Sequence, residues 1–98
     1  MEIKESESTV VITLSGSLDI TNVGPFSAEV DRLCTLSGKN IEIDMEEVSY
    51  VDSTGVSCLL RLYKHQKQQG AQFCITRISE KASSVISLCS LSETLNAL

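Results

Sequence analysis

A single α/β domain is predicted, with a small four- or five-stranded mixed sheet and helices packed mainly on one side. Three observations carry this. A chain of 98 residues has room for one core and not for two, so residues 1–98 are one domain. Apolar residues alternate at period two around Val10, Ile12 and Leu14, and again around Ile41, Ile43 and Met45. Between these runs the spacing changes to three and four, as in Phe26, Val30, Leu33 and in Val56, Leu59, Leu60, Tyr63. The resulting order is β, β, α, β, α, β, α. Strands separated by helices pair in parallel through right-handed crossovers.

The elements follow in order. Val10, Ile12 and Leu14 alternate with polar neighbours as a strand, and Ile3 belongs to a partner strand ahead of it. Ser15-Gly16-Ser17 breaks the alternation, and Leu18 to Asn22 reads as a short loop or bulged segment. Thr21 or Asn22 caps the first helix, and Pro25 fits only in a first turn. Phe26, Val30 and Leu33 are its buried face, with Cys34 beside them, and Ser37-Gly38-Lys39-Asn40 ends it. Ile41 to Met45 is a strand, and Val48 to Val51 is a short loop or strand leading to Asp52. The second helix runs from about Ser53 to Gln69 and stops at Gly70. Phe73 to Ile75 is a strand. Ser79 or Ser83 caps a third helix bearing Ala82, Val85, Ile86 and Cys89, and Leu91, Leu95 and Leu98 close the chain.

Composition excludes several classes of function. Thirteen acidic against eight basic residues give a net charge of −5, which disfavours nucleic acid and anionic membrane surfaces. The basic cluster Arg61, Lys64, His65 and Lys67 lies on one helix and reads as a solvated face. No apolar run approaches ~18 residues, and the start, Met-Glu-Ile-Lys-Glu-Ser, has no signal-peptide core. A cytoplasmic protein without membrane insertion is expected. Cys34, Cys58, Cys74 and Cys89 are scattered, form no C-x-x-C and read as packing residues.

No enzyme signature appears. There is no phosphate-cradling G-x-x-x-x-G-K-[ST] and no G-x-G-x-x-G. The single His65 stands mid-helix, so Ser53 has no evident base for a hydrolase triad. Asp19, Asp44 and Asp52 can be imagined as an acidic metal site, but Asp44 ends a strand and Asp52 abuts a helix N-terminus that favours negative charge; no metal or cofactor is expected. The informative stretch is Asp52-Ser53-Thr54-Gly55, where a strand meets a helix. A hydroxyl there faces unpaired N–H groups and the positive end of the helix dipole. Ser53 is therefore either a seat for a phosphate or an ordinary N-cap.

Three stretches resemble a known family. Gly16-Ser17-Leu18-Asp19 is similar to its G-x-L-D. Ile43-Asp44-Met45 through Val48-Ser49-Tyr50-Val51-Asp52-Ser53-Thr54-Gly55-Val56 is similar to its central D-L-x-x-V-x-x-[IVM]-D-S-[ST]-G-[LV]. Gly70 to Phe73 and the tail from Ile78 to Leu95 follow its last strand and helix. The family is the sulfate transporter and anti-sigma factor antagonist domain, STAS. Within it the chain looks most like the free-standing bacterial anti-sigma factor antagonists. Two positions depart from the pattern: Ser57 and Ser90 stand where glycines are common.

The resemblance implies a partner switch and not an enzyme. An anti-sigma factor, which is a serine kinase with a histidine-kinase-like ATPase fold, phosphorylates the Ser of the motif, here Ser53. A PP2C-type phosphatase reverses this. The unphosphorylated antagonist binds the kinase and releases its client. Asp19, Asp52, Ser53, Thr54 and Gly55 are the implied partner-binding residues. The other reading is a constitutive STAS adaptor subunit of a phospholipid ABC transporter, in which Ser53 would be a cap only.

Overall fold

The computed structural model describes residues 1–88, with side chains described through residue 84; Ser90, Cys89 and the terminal leucines Leu91, Leu95 and Leu98 lie outside the described residues, as do the side chains of Val85 and Ile86. The elements are β1 (Glu2–Glu5), β2 (Thr9–Leu18), α1 (Gly24–Leu33), β3 (Asn40–Val51), α2 (Ser53–Gln68), β4 (Phe73–Ile78) and α3 (Glu80–Leu88). This is the expected order. The four strands form one mixed sheet in the order β1-β2-β3-β4. β1 pairs antiparallel with β2, and β3 pairs parallel with both β2 and β4.

Register puts the alternating apolar residues in rows. Val10, Ile41 and Phe73 stand side by side, as do Ile12, Ile43 and Ile75. All six are buried, together with Phe26, Val30 and Leu33 of α1 and Val56, Leu59 and Leu62 of α2. The core therefore lies between the α1/α2 layer and one face of the sheet. On the opposite face Val11, Glu42 and Cys74 share a row and are only half-buried. Ion pairs fasten the layers: Arg32 of α1 reaches Glu5 of β1 at 2.8 Å, and Arg61 of α2 pairs with Asp31 of α1.

Several boundaries differ from the expectation. β2 does not stop at Ser15. It continues through Gly16 to Leu18 with register shifts at Thr13/Ser15 and Gly16/Ser17. Such irregularities break the alternation without ending the strand, and Gly16 takes φ 73° there. β3 is one twelve-residue strand, so Val48 to Val51 is its second half and not a separate segment. Asp44 lies inside it, where Arg77 Nε of β4 donates to its carboxylate at 3.0 Å. Neither Thr21 nor Asn22 caps α1; Val23 holds that position without a side-chain bond. The helix ends at Leu33, ahead of Ser37-Gly38.

The buried stripe of α2 is Gly55, Val56, Cys58, Leu59, Leu62 and Gln66, with Leu60 and Tyr63 at its margin. The basic residues of α2 are partly engaged. Lys67 lies 5.9 Å from the Tyr63 ring centre, and His65 Nε2 meets the Leu36 carbonyl at 2.9 Å. Gly70 takes φ 72° just past the helix, as a C-terminal glycine should. Ser79 is the residue that caps α3, its Oγ accepting from Ala82 N at 3.1 Å. Cys58 is buried, whereas Cys34 and Cys74 are half-exposed, and all three are free thiols.

Candidate functional site

The parallel β2–β3 pairing brings the two halves of the site together. Ser17 stands beside Tyr50 and Leu18 beside Val51, so both central strands finish at the same end of the sheet. The loop leaving β2 carries Asp19 and Ile20; the chain leaving β3 turns at Asp52 into α2. Asp52, with extended backbone, is the N-cap. Its Oδ1 accepts from Thr54 N at 2.8 Å and Gly55 N at 3.2 Å, and its Oδ2 accepts from Ile20 N at 3.1 Å. The Asp52 main-chain N–H donates to Leu18 O at 3.1 Å, and its carbonyl accepts from Val56 N at 3.1 Å. One residue thus closes the helix N-terminus and ties it to the β2–α1 loop.

This answers the question posed by Ser53. It is not the cap. Ser53 occupies the first helical position, is exposed, and has no side-chain hydrogen bond among the described residues. Two of the helix N–H groups that could have held an anion are already used: Thr54 and Gly55 donate to Asp52 Oδ1, while Val56 N makes the first intrahelical bond to the Asp52 carbonyl. Thr54 is half-buried beside Ser53.

Asp19 organises the other half. Its Oδ1 accepts from the Thr21 hydroxyl at 2.6 Å, Thr21 N at 3.0 Å and Asn22 N at 3.1 Å. The Thr21 hydroxyl bond first, and the two amides behind it, hold the carboxyl below the usual aspartate range. The turn also sends Asn22 N and Val23 N to the Asp19 carbonyl. Asn22, already in the turn, gives its side-chain amide to Ser17 Oγ at 2.7 Å. Both Thr21 and Asn22 lie in this turn ahead of Val23, the N-cap position of α1.

Gly55 is where α2 comes closest to the sheet. A Cβ there would lie 2.6 Å from Leu18 O, 2.9 Å from Leu18 Cβ and 3.0 Å from Val51 Cγ1. Only glycine lets the helix start this near the ends of β2 and β3. All five residues singled out in the sequence, Asp19, Asp52, Ser53, Thr54 and Gly55, therefore belong to one edge of the fold.

The sequence reading missed two neighbours. Ile20 is 76% exposed and Tyr50 52% exposed, the two most exposed large apolar side chains on the described surface. Ile20 is held there by its own N–H bond to Asp52, and Tyr50 is the penultimate residue of β3, two residues before the cap. A lone isoleucine between Asp19 and Thr21, in an otherwise polar turn, was the available signal. Residues 17–22 and 50–57 contain two carboxylates and no Lys, Arg or His. Asp44, bound to Arg77, is not part of this group. Among the described residues no three His, Cys, Asp or Glu side chains gather as a metal set.

Comparison with known proteins agrees with this architecture. A Bacillus subtilis protein named anti-sigma-B factor antagonist is 25% identical over 100 residues, covering 98% of this chain and 87% of the relative. Its namesake in Listeria monocytogenes is 24% identical over 96 residues, covering 97% and 84%. Among solved structures, the anti-sigma factor antagonist SpoIIAA in its unphosphorylated form superposes with a TM-score of 0.81 at 22% identity, covering 94% of this chain and 82% of that one. An anti-sigma factor antagonist from Mycobacterium paratuberculosis gives 0.84 at 18% identity, covering 98% and 81%. The model of the STAS domain matches residues 1–97, so the chain, with its Asp-Ser-Thr-Gly corner and four-stranded sheet, belongs to the STAS domain family.

Proposed function

We propose that this protein is an anti-sigma factor antagonist acting as a phosphorylation-controlled partner switch, with Ser53 as the phosphoacceptor. The observation that carries the reading is the state of Ser53: exposed, without a side-chain hydrogen bond among the described residues, and in the first helical position directly after the Asp52 cap. The names of the relatives support the antagonist role. The partner is an anti-sigma factor that is also a serine kinase with a histidine-kinase-like ATPase fold, and a PP2C-type phosphatase resets the switch. The protein itself is not an enzyme and acts in the cytoplasm.

The chemistry of the edge suits such a switch. A phosphate brings about −1.5 to −2 charges. With Asp52 already accepting from the Thr54 and Gly55 N–H groups, and no Lys, Arg or His in residues 17–22 and 50–57 to pair with it, the phosphate projects outward. A partner that seats Ile20 and Tyr50 in apolar pockets then meets an unpaired dianion at the centre of its contact. Burying such a charge costs several kcal/mol, enough to abolish binding without refolding.

Incubation with the cognate kinase and ATP is expected to add one phosphate, placed at Ser53 by peptide mass spectrometry, and Ser53→Ala is expected to remain unlabelled. Equal labelling of the two proteins overturns the assignment. Titration of the kinase against wild type, Ser53→Asp and Lys67→Ala then separates the readings. Ser53→Asp is expected to bind more weakly and Lys67→Ala normally. The reverse pattern places the interface on the outer face of α2 and favours the constitutive transporter adaptor.

A further inference from the structure

The sheet has two edges, and they treat their charges differently. On β4, Arg77 turns inward to Asp44 and Glu46 of β3. On β1 all four residues are exposed, and Ile3 is 39% exposed. Glu5 is bound by Arg32 and Lys39. Among the described residues Glu2 and Lys4 have no ion-pair partner. They stand two apart, so both project from the open face of the sheet, while Ile3 projects from the helix-covered face, where its pair partner Ile12 is buried.

An edge strand offers unpaired N–H and C=O groups, and proteins commonly guard it with charge. A guard of one sign repels a second copy of itself. Glu2 and Lys4 have opposite signs, and this changes the outcome. When two β1 strands run antiparallel about Ile3, Glu2 of each copy faces Lys4 of the other, twice, on one face. Ile3 faces Ile3 on the other face. Opposite-charge and branched apolar pairs directly across strands are the favourable combinations. The same antiparallel sense keeps both helix layers on one side of the joined sheet. The interface is isologous, as a two-fold dimer requires.

We infer that the exposed β1 edge is a self-pairing surface, and that its occupant is a second copy of this chain, giving a continuous eight-stranded sheet. The contact is short, so the dimer is weak and populated at high concentration. It lies apart from Ser53 and does not depend on the proposed switch.

The test is a charge exchange read by sedimentation velocity and by β1 amide shifts in a dilution series of the full chain. Wild type is expected to associate, with shifts confined to β1. Lys4→Glu and Glu2→Lys are each expected to associate on the order of tenfold more weakly. Their equimolar mixture, and the double variant Glu2→Lys/Lys4→Glu, are expected to recover wild-type association. Glu2→Lys is decisive, because it lowers the net charge from −5 to −3 and so reduces general repulsion while breaking the pairing. All four positions on β1 are solvent-facing, so the variants keep the fold; unchanged thermal melts verify this. Wild type that stays monomeric with unmoved β1 amides overturns the inference. So does association that all variants share, which places the contact elsewhere.

Discussion

Replacing Asp52 by alanine isolates the residue on which the candidate site depends. Three hydrogen bonds that its carboxylate accepts, from Thr54 N, Gly55 N and Ile20 N, are lost. Loss of an N-cap costs about 0.5–2 kcal/mol. Removing a negative charge from a helix N-terminus costs about 0.3–1 kcal/mol more. Water replaces the Ile20 bond in an exposed loop, so that bond contributes to order more than to global stability. The expected sum is about 1–3 kcal/mol, or roughly a 5–15 °C lower melting temperature for a domain of this size. Ser53→Ala removes a hydroxyl with no partner and is expected to stay within about 0.5 kcal/mol of wild type. Calorimetry measures both, and hydrogen exchange is expected to show faster opening of the Ile20 amide in Asp52→Ala alone. Equal melting of the two variants would refute the assignment of the cap to Asp52, and so the claim that Ser53 is uncommitted.

Three further outcomes are expected. Gly55→Ala should lower stability by about 1–3 kcal/mol in urea titration, because the clash with Leu18 O outweighs alanine's helix preference of about 1 kcal/mol; a stabilised variant would show that α2 can back away from the sheet. Ile20→Asp should leave the melt unchanged and weaken kinase binding by at least about tenfold, as loss of an interface anchor does; calorimetric titration with wild-type affinity would remove Ile20 from the interface. The Asp19 carboxyl, followed by NMR, should titrate below the ordinary 3.8. Because its folded value is depressed, its contribution to stability is complete above the unfolded value and fades as pH falls through the folded one; a normal midpoint would contradict the Thr21 bond.

Much of this fold was legible because α2 and the strands obey simple periods. Ile41, Ile43 and Met45 announce β3 by alternation, and Gly70 announces the end of α2. What stayed hidden has physical causes. Register shifts in β2 disguise Ser15 to Leu18 as a break, since a displaced residue reverses the apparent in–out pattern. Asp52 and Ser53 are both good capping residues, and composition does not choose between neighbours; the choice is made by Asp52 reaching Ile20, 32 residues away in sequence. Thr21 and Asn22 look like caps for α1 but lie in the turn that Asp19 organises, ahead of Val23, which holds the cap position. The five residues of the candidate site came from the motif, whereas Ile20 and Tyr50 emerge only once β2 and β3 are laid side by side.

The filled helix N-terminus also bears on time. A phosphate nested in backbone N–H groups would be shielded and slow to leave, so the modified state would have a long memory. Here Asp52 holds the Thr54 and Gly55 N–H groups in advance. A phosphate on Ser53 would stay in solvent, as open to a phosphatase as the hydroxyl was to the kinase. The lifetime of the signal would then follow the balance of two enzymes and owe little to the antagonist, which suits a component that must forget a stimulus once it has passed.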